Sequence, residues 1–517
     1  MKEINMKNYR KLLKVLIYIV FLLLLVFSFS KKFNLNIDEV YSYGLANHYG
    51  DRSMTIEDGL RYVPASTPWL NYVTVSRDHR FDYKNVWANQ TSDVHPPFYY
   101  VILHTICSCF PGRFSKWYGG VINIFFCIAA LFVFGKIIRI YTEDYRVETV
   151  SMAAFALSPA FLNMAMFIRM YTMAMFCVML FTYFYIRYVR GEEGRKLLTA
   201  LTATAVLGAL THYYCMIFVV LLSFSFGVYC LIKRKISALI KYTVSMGISA
   251  GLCIIIFPGM LGHFFSSDRG EQTISNAGSD SVLKANLVGD IRIVIGELFG
   301  NPVIFGIAIV AVLLLMIMGI KKRHIRFCTE FVLVGVAIFA YMVMIAATAP
   351  YAADRYFFPI YGIALTLVLI VCTNVILTLC KRSIALVVTV VFFCVMLSTA
   401  FVGMEWGYTD SFTRESVEWA KDHADLDAIM IHGKRFRMHT SFFEASEYAG
   451  LTMVDSKDLS KLPDTSEYAD KDFVLMVAVK EDDDKFLEEV MKKYPGHTYT
   501  KVAFSAYHNS YYFEKEN

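Results

Sequence analysis

Cysteine is missing from both long polar stretches of this 517-residue sequence. All eleven cysteines lie between Cys107 and Cys394, and none occurs in residues 31–106 or after Phe401. A disulfide framework needs cysteines within the domain that it stabilises, so the polar regions are not disulfide scaffolds. The cysteines within apolar runs are typical of small buried side chains.

A strong excess of one charge is also missing, because the formal net charge is only +6 and charged residues make up 18% of the chain. The basic residues form short clusters between apolar segments rather than one patch, which excludes nucleic acid as the expected partner. The sequence has no internal repeat and few charges inside its apolar segments. Transporters commonly have internal repeats and charged residues near the membrane midplane, so the sequence argues against a transporter.

Long apolar segments dominate the chain. Apolar residues make up 56% of the sequence, and the mean hydropathy is +0.46, as in membrane proteins with many spans. By the criterion of ~20 residues per span we expect about eleven transmembrane helices. The predicted spans are 12–30, 117–138, 147–162, 167–186, 197–211, 213–232, 240–258, 303–320, 327–348, 358–377 and 384–402.

The basic clusters predict the orientation of these helices in the cell membrane. With a cytoplasmic N-terminus, each loop assigned to the inside carries Lys or Arg, as the positive-inside rule requires. Residues 98–110 are too short to cross, and we expect a helix in the membrane interface there. A cleaved signal peptide is the alternative for the first helix, but SFSKKF lacks the small-residue pattern of a cleavage site.

The same topology predicts two regions outside the membrane. The first is the loop 31–116, which we call the first loop. The second is the tail 405–517, which follows a membrane domain of residues 1–404. In the tail we expect helices at 411–425 and 482–494 and strands at 427–433, 472–480, 498–507 and 510–515, which make a small extracytoplasmic α/β domain.

Two acidic residues and a histidine motif in the first loop are candidates for chemistry. Asp38 and Glu39 follow the first span, and a carboxylate beside a low-dielectric boundary can serve as a general base. Asp93 and His95 precede Pro96-Pro97, which stiffens the entry to the next helix. The structural alternatives are a helix N-cap for the acidic pair and a rigid helix start with an incidental histidine.

Further candidates lie at predicted outer ends of spans. Arg169 can bind a phosphate through its planar fork, although arginines at such places also extend to lipid headgroups. His212 and Tyr213 lie in a tight turn that also fits an aromatic belt, and Arg355 can instead pair with Asp354. Carboxylates and arginines on one membrane face suit a phosphate leaving group and a hydroxyl nucleophile.

In their order along the chain, these motifs resemble a known family. IDEVYSYGLANHYG, SDVHPPFYYVILH, SPAFLNMAMFIRMYTM, THYY and DRYFFPIYG are similar to segments of bacterial relatives of the protein O-mannosyltransferases. These enzymes form family 39 of the GT-C glycosyltransferases, and the aminoarabinose transferases are more distant relatives. The resemblance covers roughly residues 10–400. A lysine that eukaryotic members carry after their His-Pro-Pro is absent here, as is their β-trefoil domain.

The resemblance implies a GT-C-like membrane enzyme with a polyprenyl-phosphate sugar donor and an envelope glycan, lipid or protein as acceptor. Asp38 would be the base that deprotonates the acceptor hydroxyl, with Glu39 beside it. The implied reaction inverts the sugar and needs no cofactor or metal. The residues expected to bind substrate are Asp93, His95, Arg169, Tyr171, His212, Tyr213, Arg355 and Tyr356. A lipid-linked glycan polymerase or ligase and a transporter or flippase are the alternatives.

Overall fold

The structure is a computed structural model that describes residues 2–50, 52–142, 144–192, 194–277, 279–322, 329–379, 382–433, 435–480 and 482–516. The chain divides into two compact units. We call Met1–Phe29, Gln90–Tyr99 and Gly120–Trp406 the helical unit. We call Ser30–Asn89, Tyr100–Gly119 and Gly407–Asn517 the sheet unit.

Most of the chain is α-helical, as the long apolar segments predict. The helices are α1 (Lys2–Ser30), α2 (Ile37–Asn47), α3 (Thr67–Val73), α4 (Tyr83–Ser92), α5 (Phe98–Ser108), α6 (Lys116–Tyr141), α7 (Tyr145–Ala156), α8 (Pro159–Met166), α9 (Tyr171–Val189), α10 (Arg195–Thr211), α11 (Tyr213–Ile232), α12 (Ile236–Ile256), α13 (Gly259–Phe265), α14 (Asp268–Ala277), α15 (Asp280–Phe299), α16 (Pro302–Lys322), α17 (Thr329–Thr348), α18 (Phe358–Leu379), α19 (Arg382–Gly403), α20 (Arg414–Asp422), α21 (Arg435–Ala445), α22 (Thr465–Tyr468) and α23 (Asp483–Lys493).

Eight of the described helices are long and apolar enough to cross a membrane: α1, α6, α9, α11, α12, α17, α18 and α19. The bent pairs α7–α8 (42°) and α15–α16 (87°) raise the number to ten if each is one span. The protein is therefore a multi-pass membrane protein, as predicted. The expected eleventh span is α10, whose 17 residues fall short of the ~20 that cross a bilayer.

The segment 259–301, between the predicted spans 240–258 and 303–320, contains α13, α14 and α15. The Ser279 hydroxyl accepts a hydrogen bond from the Val282 amide at 3.4 Å at the start of α15. At its end, Gly300 has a φ of +64°, and a Cβ there would lie 1.9 Å from the Thr399 carbonyl oxygen. Both features fix the ends of a helix whose scattered charges conceal it in the sequence.

The sheet unit contains one six-stranded sheet in the order β1-β3-β2-β4-β6-β5. Strands β3, β2 and β4 are parallel, and the remaining pairs are antiparallel. The predicted tail elements α20, β2, β4, α23, β5 and β6 are all present, whereas α21, β3 and β1 were not predicted. The strands are β1 (Arg61–Tyr62), β2 (Asp427–His432), β3 (Gly450–Asp455), β4 (Phe473–Ala478), β5 (His497–Phe504) and β6 (Asn509–Lys515).

Strand β1 comes from the first loop and pairs with β3 of the tail. The Arg61 guanidinium supports this pairing by donating hydrogen bonds to both carboxylate oxygens of Asp427, at 2.7 and 3.1 Å. Such a two-point contact fixes orientation as well as distance. The first loop and the tail therefore build one sheet together.

Candidate active site

The N-terminus of α2 carries the acidic pair of the first loop. The Asn36 side chain accepts a hydrogen bond from the Asp38 amide at 3.0 Å, and the Glu39 carboxylate accepts one from the Asn36 amide at 2.5 Å. This reciprocal capping box satisfies amides that have no partner within the helix. The side chain of Asp38 is half-buried, whereas that of Glu39 is fully buried.

Glu39 also forms a buried ion pair with Lys32, whose Nζ lies 2.7 Å from the carboxylate. The same Nζ donates to the Tyr408 carbonyl oxygen at 2.7 Å. Asp410 is buried near this ion pair. Burial, followed by the negative charge of Glu39, raises the pKa of Asp410 to about 7, and the positive charge of Lys32 acts in the opposite direction. Glu39 is thus held among buried charges, and Asp38 is the more accessible of the two acids.

Asp93, His95 and Arg169 form a hydrogen-bonded chain in the helical unit. His95 Nδ1 lies 2.6 Å from the Asp93 carboxylate, and His95 Nε2 lies 3.1 Å from an NH2 group of Arg169. A guanidinium only donates hydrogen bonds, so Nε2 accepts and the ring proton on Nδ1 is donated to Asp93. Burial alone would raise the pKa of Asp93, but the interactions with His95, the Val94 amide and Arg169 lower it to about 2.

Asn123 of α6 holds the backbone that presents Arg169. Its amide nitrogen donates hydrogen bonds to the carbonyl oxygens of Ala165 at 3.1 Å and Phe167 at 2.6 Å. These carbonyls lie at the end of α8 and in the short non-helical segment that connects it to α9. Its amide oxygen accepts from the Thr172 hydroxyl at 3.2 Å. Arg169 is only 4% exposed, so this non-helical segment positions a buried cation.

His212 lies beside this chain, with its ring 6.0 Å from that of His95 and 5.3 Å from that of Tyr171. Its Nδ1 accepts a hydrogen bond from the Tyr214 amide at 3.0 Å and so caps α11. Burial, followed by the interactions with His95 and Arg169, lowers the pKa of His212 well below its usual value. The imidazole is therefore neutral near pH 7 and adds no charge to the cluster.

Tyr213 and Arg355 have other principal contacts. The Tyr213 hydroxyl lies 2.7 Å from His263 Nδ1. The Arg355 guanidinium lies over the rings of Tyr351 and Tyr356, 5.7 and 5.6 Å from their centroids.

The predicted site residues thus fall into two groups. The helical unit brings together Asp93, His95, Arg169, Tyr171 and His212. Tyr214 connects this group to Tyr356, because its ring lies 4.5 Å from that of His212 and 5.6 Å from that of Tyr356. Asp38 and Glu39 belong to the sheet unit.

The sequence analysis missed four polar residues in these groups: Lys32, Asn123, His263 and Asp410. Asn123 has a usable signal, since it interrupts the apolar run of α6. Among the described residues, no group of three or more His, Cys, Asp or Glu side chains is placed to hold a metal ion.

Comparison with known proteins identifies the fold. No protein-family model matches the sequence, and no curated protein matches it. Among solved structures, ArnT from Cupriavidus metallidurans bound to undecaprenyl phosphate matches with a TM-score of 0.56 at 12% identity, over 96% of this chain and 97% of that chain. The apo state of the same protein matches with a TM-score of 0.48 at 12% identity, over 92% and 95% of the two chains.

The archaeal oligosaccharyltransferase AglB from Archaeoglobus fulgidus, in complex with an inhibitory peptide and a dolichol-phosphate, gives a TM-score of 0.42 at 9% identity, over 84% of this chain and 64% of that chain. ArnT, an aminoarabinose transferase, and AglB both have the GT-C fold. The match to undecaprenyl-phosphate-bound ArnT covers nearly the whole of both chains. The chain therefore has an ArnT-like GT-C fold, as its motifs predict.

Proposed function

We propose that this protein is a membrane glycosyltransferase that moves a sugar from a polyprenyl-phosphate donor to a hydroxyl of an envelope glycan, lipid or protein. The observation that carries this proposal is the hydrogen-bonded chain Asp93–His95–Arg169, whose arginine is buried. An arginine whose orientation is fixed by a neutral histidine, itself held by a carboxylate, is a preorganised site for a phosphate. The GT-C fold supports the same reading.

In the proposed reaction, Asp38 accepts the proton of the acceptor hydroxyl. The hydroxyl oxygen attacks the anomeric carbon of the sugar and forms the new glycosidic bond, while the bond from that carbon to the phosphate oxygen breaks. The electron pair of that bond leaves with the polyprenyl phosphate, and Arg169 stabilises the negative charge. Attack opposite the leaving phosphate inverts the anomeric centre. Alignment of the acceptor hydroxyl, the anomeric carbon and the leaving phosphate supplies much of the rate enhancement.

Within the acidic pair, the contacts favour different roles for the two residues. Glu39 is engaged by Lys32 and by the Asn36 amide, so we assign it the positioning of α2. Asp38 directly precedes Glu39 on the same helical turn and is half-buried, and it is the proposed base. A half-buried carboxylate can exchange protons with a substrate while its backbone is held by a buried neighbour.

The experiment is sugar transfer by the purified protein in detergent. Radiolabelled polyprenyl-phosphate hexose, pentose and amino-sugar donors are each offered with an envelope extract. We expect one donor class to label the extract. Asp38→Asn should reduce the rate by roughly 10²- to 10⁴-fold, the usual contribution of a general base. Asp78→Asn is the matched control, because Asp78 is an exposed acid of the same loop.

Two results would count against the proposal. No transfer from any single-sugar donor by a folded protein would favour the alternative of an enzyme that moves whole lipid-linked chains. Full activity of a folded Asp38→Asn variant would remove Asp38 as the base while leaving the transferase assignment intact.

A further inference from the structure

Helix α2, which carries the proposed base, packs against α21 of the tail within the sheet unit. The Tyr41 ring lies 5.0 Å from the ring of His439, and the Tyr72 ring lies 4.8 Å from it on another side. Trp69 and Phe443 extend this aromatic contact at 5.6 Å. Since Asp38 and Tyr41 are three residues apart on a helix, the face that bears Asp38 is the face that meets α21.

The turn between β5 and β6 brings Tyr507 to the same place. Burial raises the pKa of Tyr507, the charges of Asp410 and Asp38 raise it further, and that of Arg437 opposes them. These interactions require the two carboxylates and the guanidinium to lie near the Tyr507 ring. Residues of the tail therefore lie near the helix that carries the proposed base.

Arg437 of α21 is the cation of this group. One of its NH groups donates to the Tyr507 carbonyl oxygen at 3.1 Å. Its Nε is buried but has no hydrogen-bond partner within the part of the chain that the structure describes. A buried donor without a partner destabilises a fold, so a bound acceptor atom at this position would be favourable.

We propose that Arg437 and Tyr507 form the acceptor-binding part of the active site, in which Arg437 binds an anionic group of the acceptor close to the hydroxyl that Asp38 deprotonates. This inference rests on the proposed function. It assigns a role to the tail: the sheet unit selects acceptors that carry a phosphate or carboxylate. Without a cation, Asp38 and Asp410 would repel such an acceptor, and Arg437 offsets that repulsion.

The test measures binding separately from transfer. Purified protein without lipid donor is titrated with sn-glycerol 3-phosphate, glycerate and glycerol, which compare phosphate, carboxylate and neutral probes, and binding is followed by line broadening of the probe in NMR spectra. We expect binding of one or both anionic probes, with glycerol weaker. Arg437→Gln should weaken anion binding by roughly 10- to 100-fold, as loss of a charge-assisted hydrogen bond implies. Arg437→Lys should restore part of it.

Two control variants identify the site of binding. Arg414→Gln should leave binding unchanged, because Arg414 is an exposed arginine elsewhere in the tail. Equal anion binding by Arg437→Gln and the wild type would overturn the inference. It would also be overturned if Arg169→Gln abolished anion binding and Arg437→Gln did not. Thermal unfolding checks that each variant is folded. A protein that transfers no sugar but binds anions through Arg437 would separate the failure of the proposed function from that of this inference.

Discussion

Lys32 and Glu39 form an ion pair of 2.7 Å in which neither side chain is exposed. The pair joins the start of the first loop to the first turn of α2, one residue from the proposed base. Because both charges are buried, each is stable only in the presence of the other. The position of Asp38 therefore depends on an electrostatic contact that makes no part of the reaction itself.

Substituting one member of this ion pair should destabilise the sheet unit more than substituting both. Glu39→Gln leaves Lys32 buried without its counter-charge, and we expect a loss of about 3–5 kcal/mol in unfolding free energy. The double variant Lys32→Met with Glu39→Gln should recover a large part of that loss. Thermal unfolding of both in detergent measures the difference, and a double variant as unstable as the single would contradict this account of the pair.

Asp410 gives a prediction that depends on pH. Its pKa rises from 3.8 to about 7 on folding, so the fold loses stability as the pH rises from about 4 to about 7, and the loss is complete above that range. Asp410→Asn removes this effect and suits the φ of +48° at this position. We expect the variant to match the wild type near pH 4 and to exceed it at pH 8, by at most about 4 kcal/mol.

Unfolding temperatures of Asp410→Asn and the wild type across this pH range provide the measurement. A difference that stays constant with pH would show that the titration of Asp410 is not linked to folding. Asp422→Asn serves as the control, since Asp422 is an exposed acid of the same tail.

Arg169 should distinguish a two-point phosphate contact from a simple charge. Arg169→Ala removes the cation, whereas Arg169→Lys keeps the charge but loses the planar fork that also contacts His95. We expect both to impair use of the lipid donor, with Ala impaired more than Lys, and the KM for the acceptor to change little. Steady-state kinetics with varied donor measure this, and an Arg169→Lys variant that uses the donor as well as the wild type would argue against a two-point contact.

Glu444 should be among the most sensitive positions of the tail. Its fully buried carboxylate accepts hydrogen bonds from Tyr448 at 2.8 Å and Ser510 at 2.6 Å, and it lies 2.5 Å from His508 Nε2. Glu444→Ala leaves these buried donors without an acceptor, and we predict a loss of more than ~3 kcal/mol. Glu447→Ala, at a half-exposed glutamate on the surface, should change the unfolding temperature little.

Periodicity and composition predict the elements whose signal is local. The membrane helices and strands such as β2 and β4 are continuous apolar runs, and the structure confirms them. Strand β1 has only two residues and exists because β3 provides its partner, so no local pattern could reveal it. Helix α15 was missed because charges such as Asp290 and Arg292 interrupt its apolar pattern.

For the site, Asp93, His95, Arg169 and His212 are candidates from the motif order, and their side chains lie together in the structure. The hydrogen bonds between them could not be foreseen, because they depend on the non-helical segment between α8 and α9, whose carbonyl groups bind the Asn123 side chain. The partner of Glu39 was likewise hidden, as Lys32 looked like a basic residue flanking a span. The roles of Asp38 and the other predicted site residues remain predictions for the assays above.

The pairing of Arg61 with Asp427 also has a consequence for biosynthesis. These two residues are 366 positions apart in the chain, and the intervening sequence includes most of the membrane helices. At a synthesis rate of ~5–20 residues per second, the first loop waits roughly 20 to 70 s on the ribosome before its partner strands exist. The sheet beside Asp38 is therefore completed only after the tail strands have been synthesised, so most of the membrane helices are made before this sheet can form.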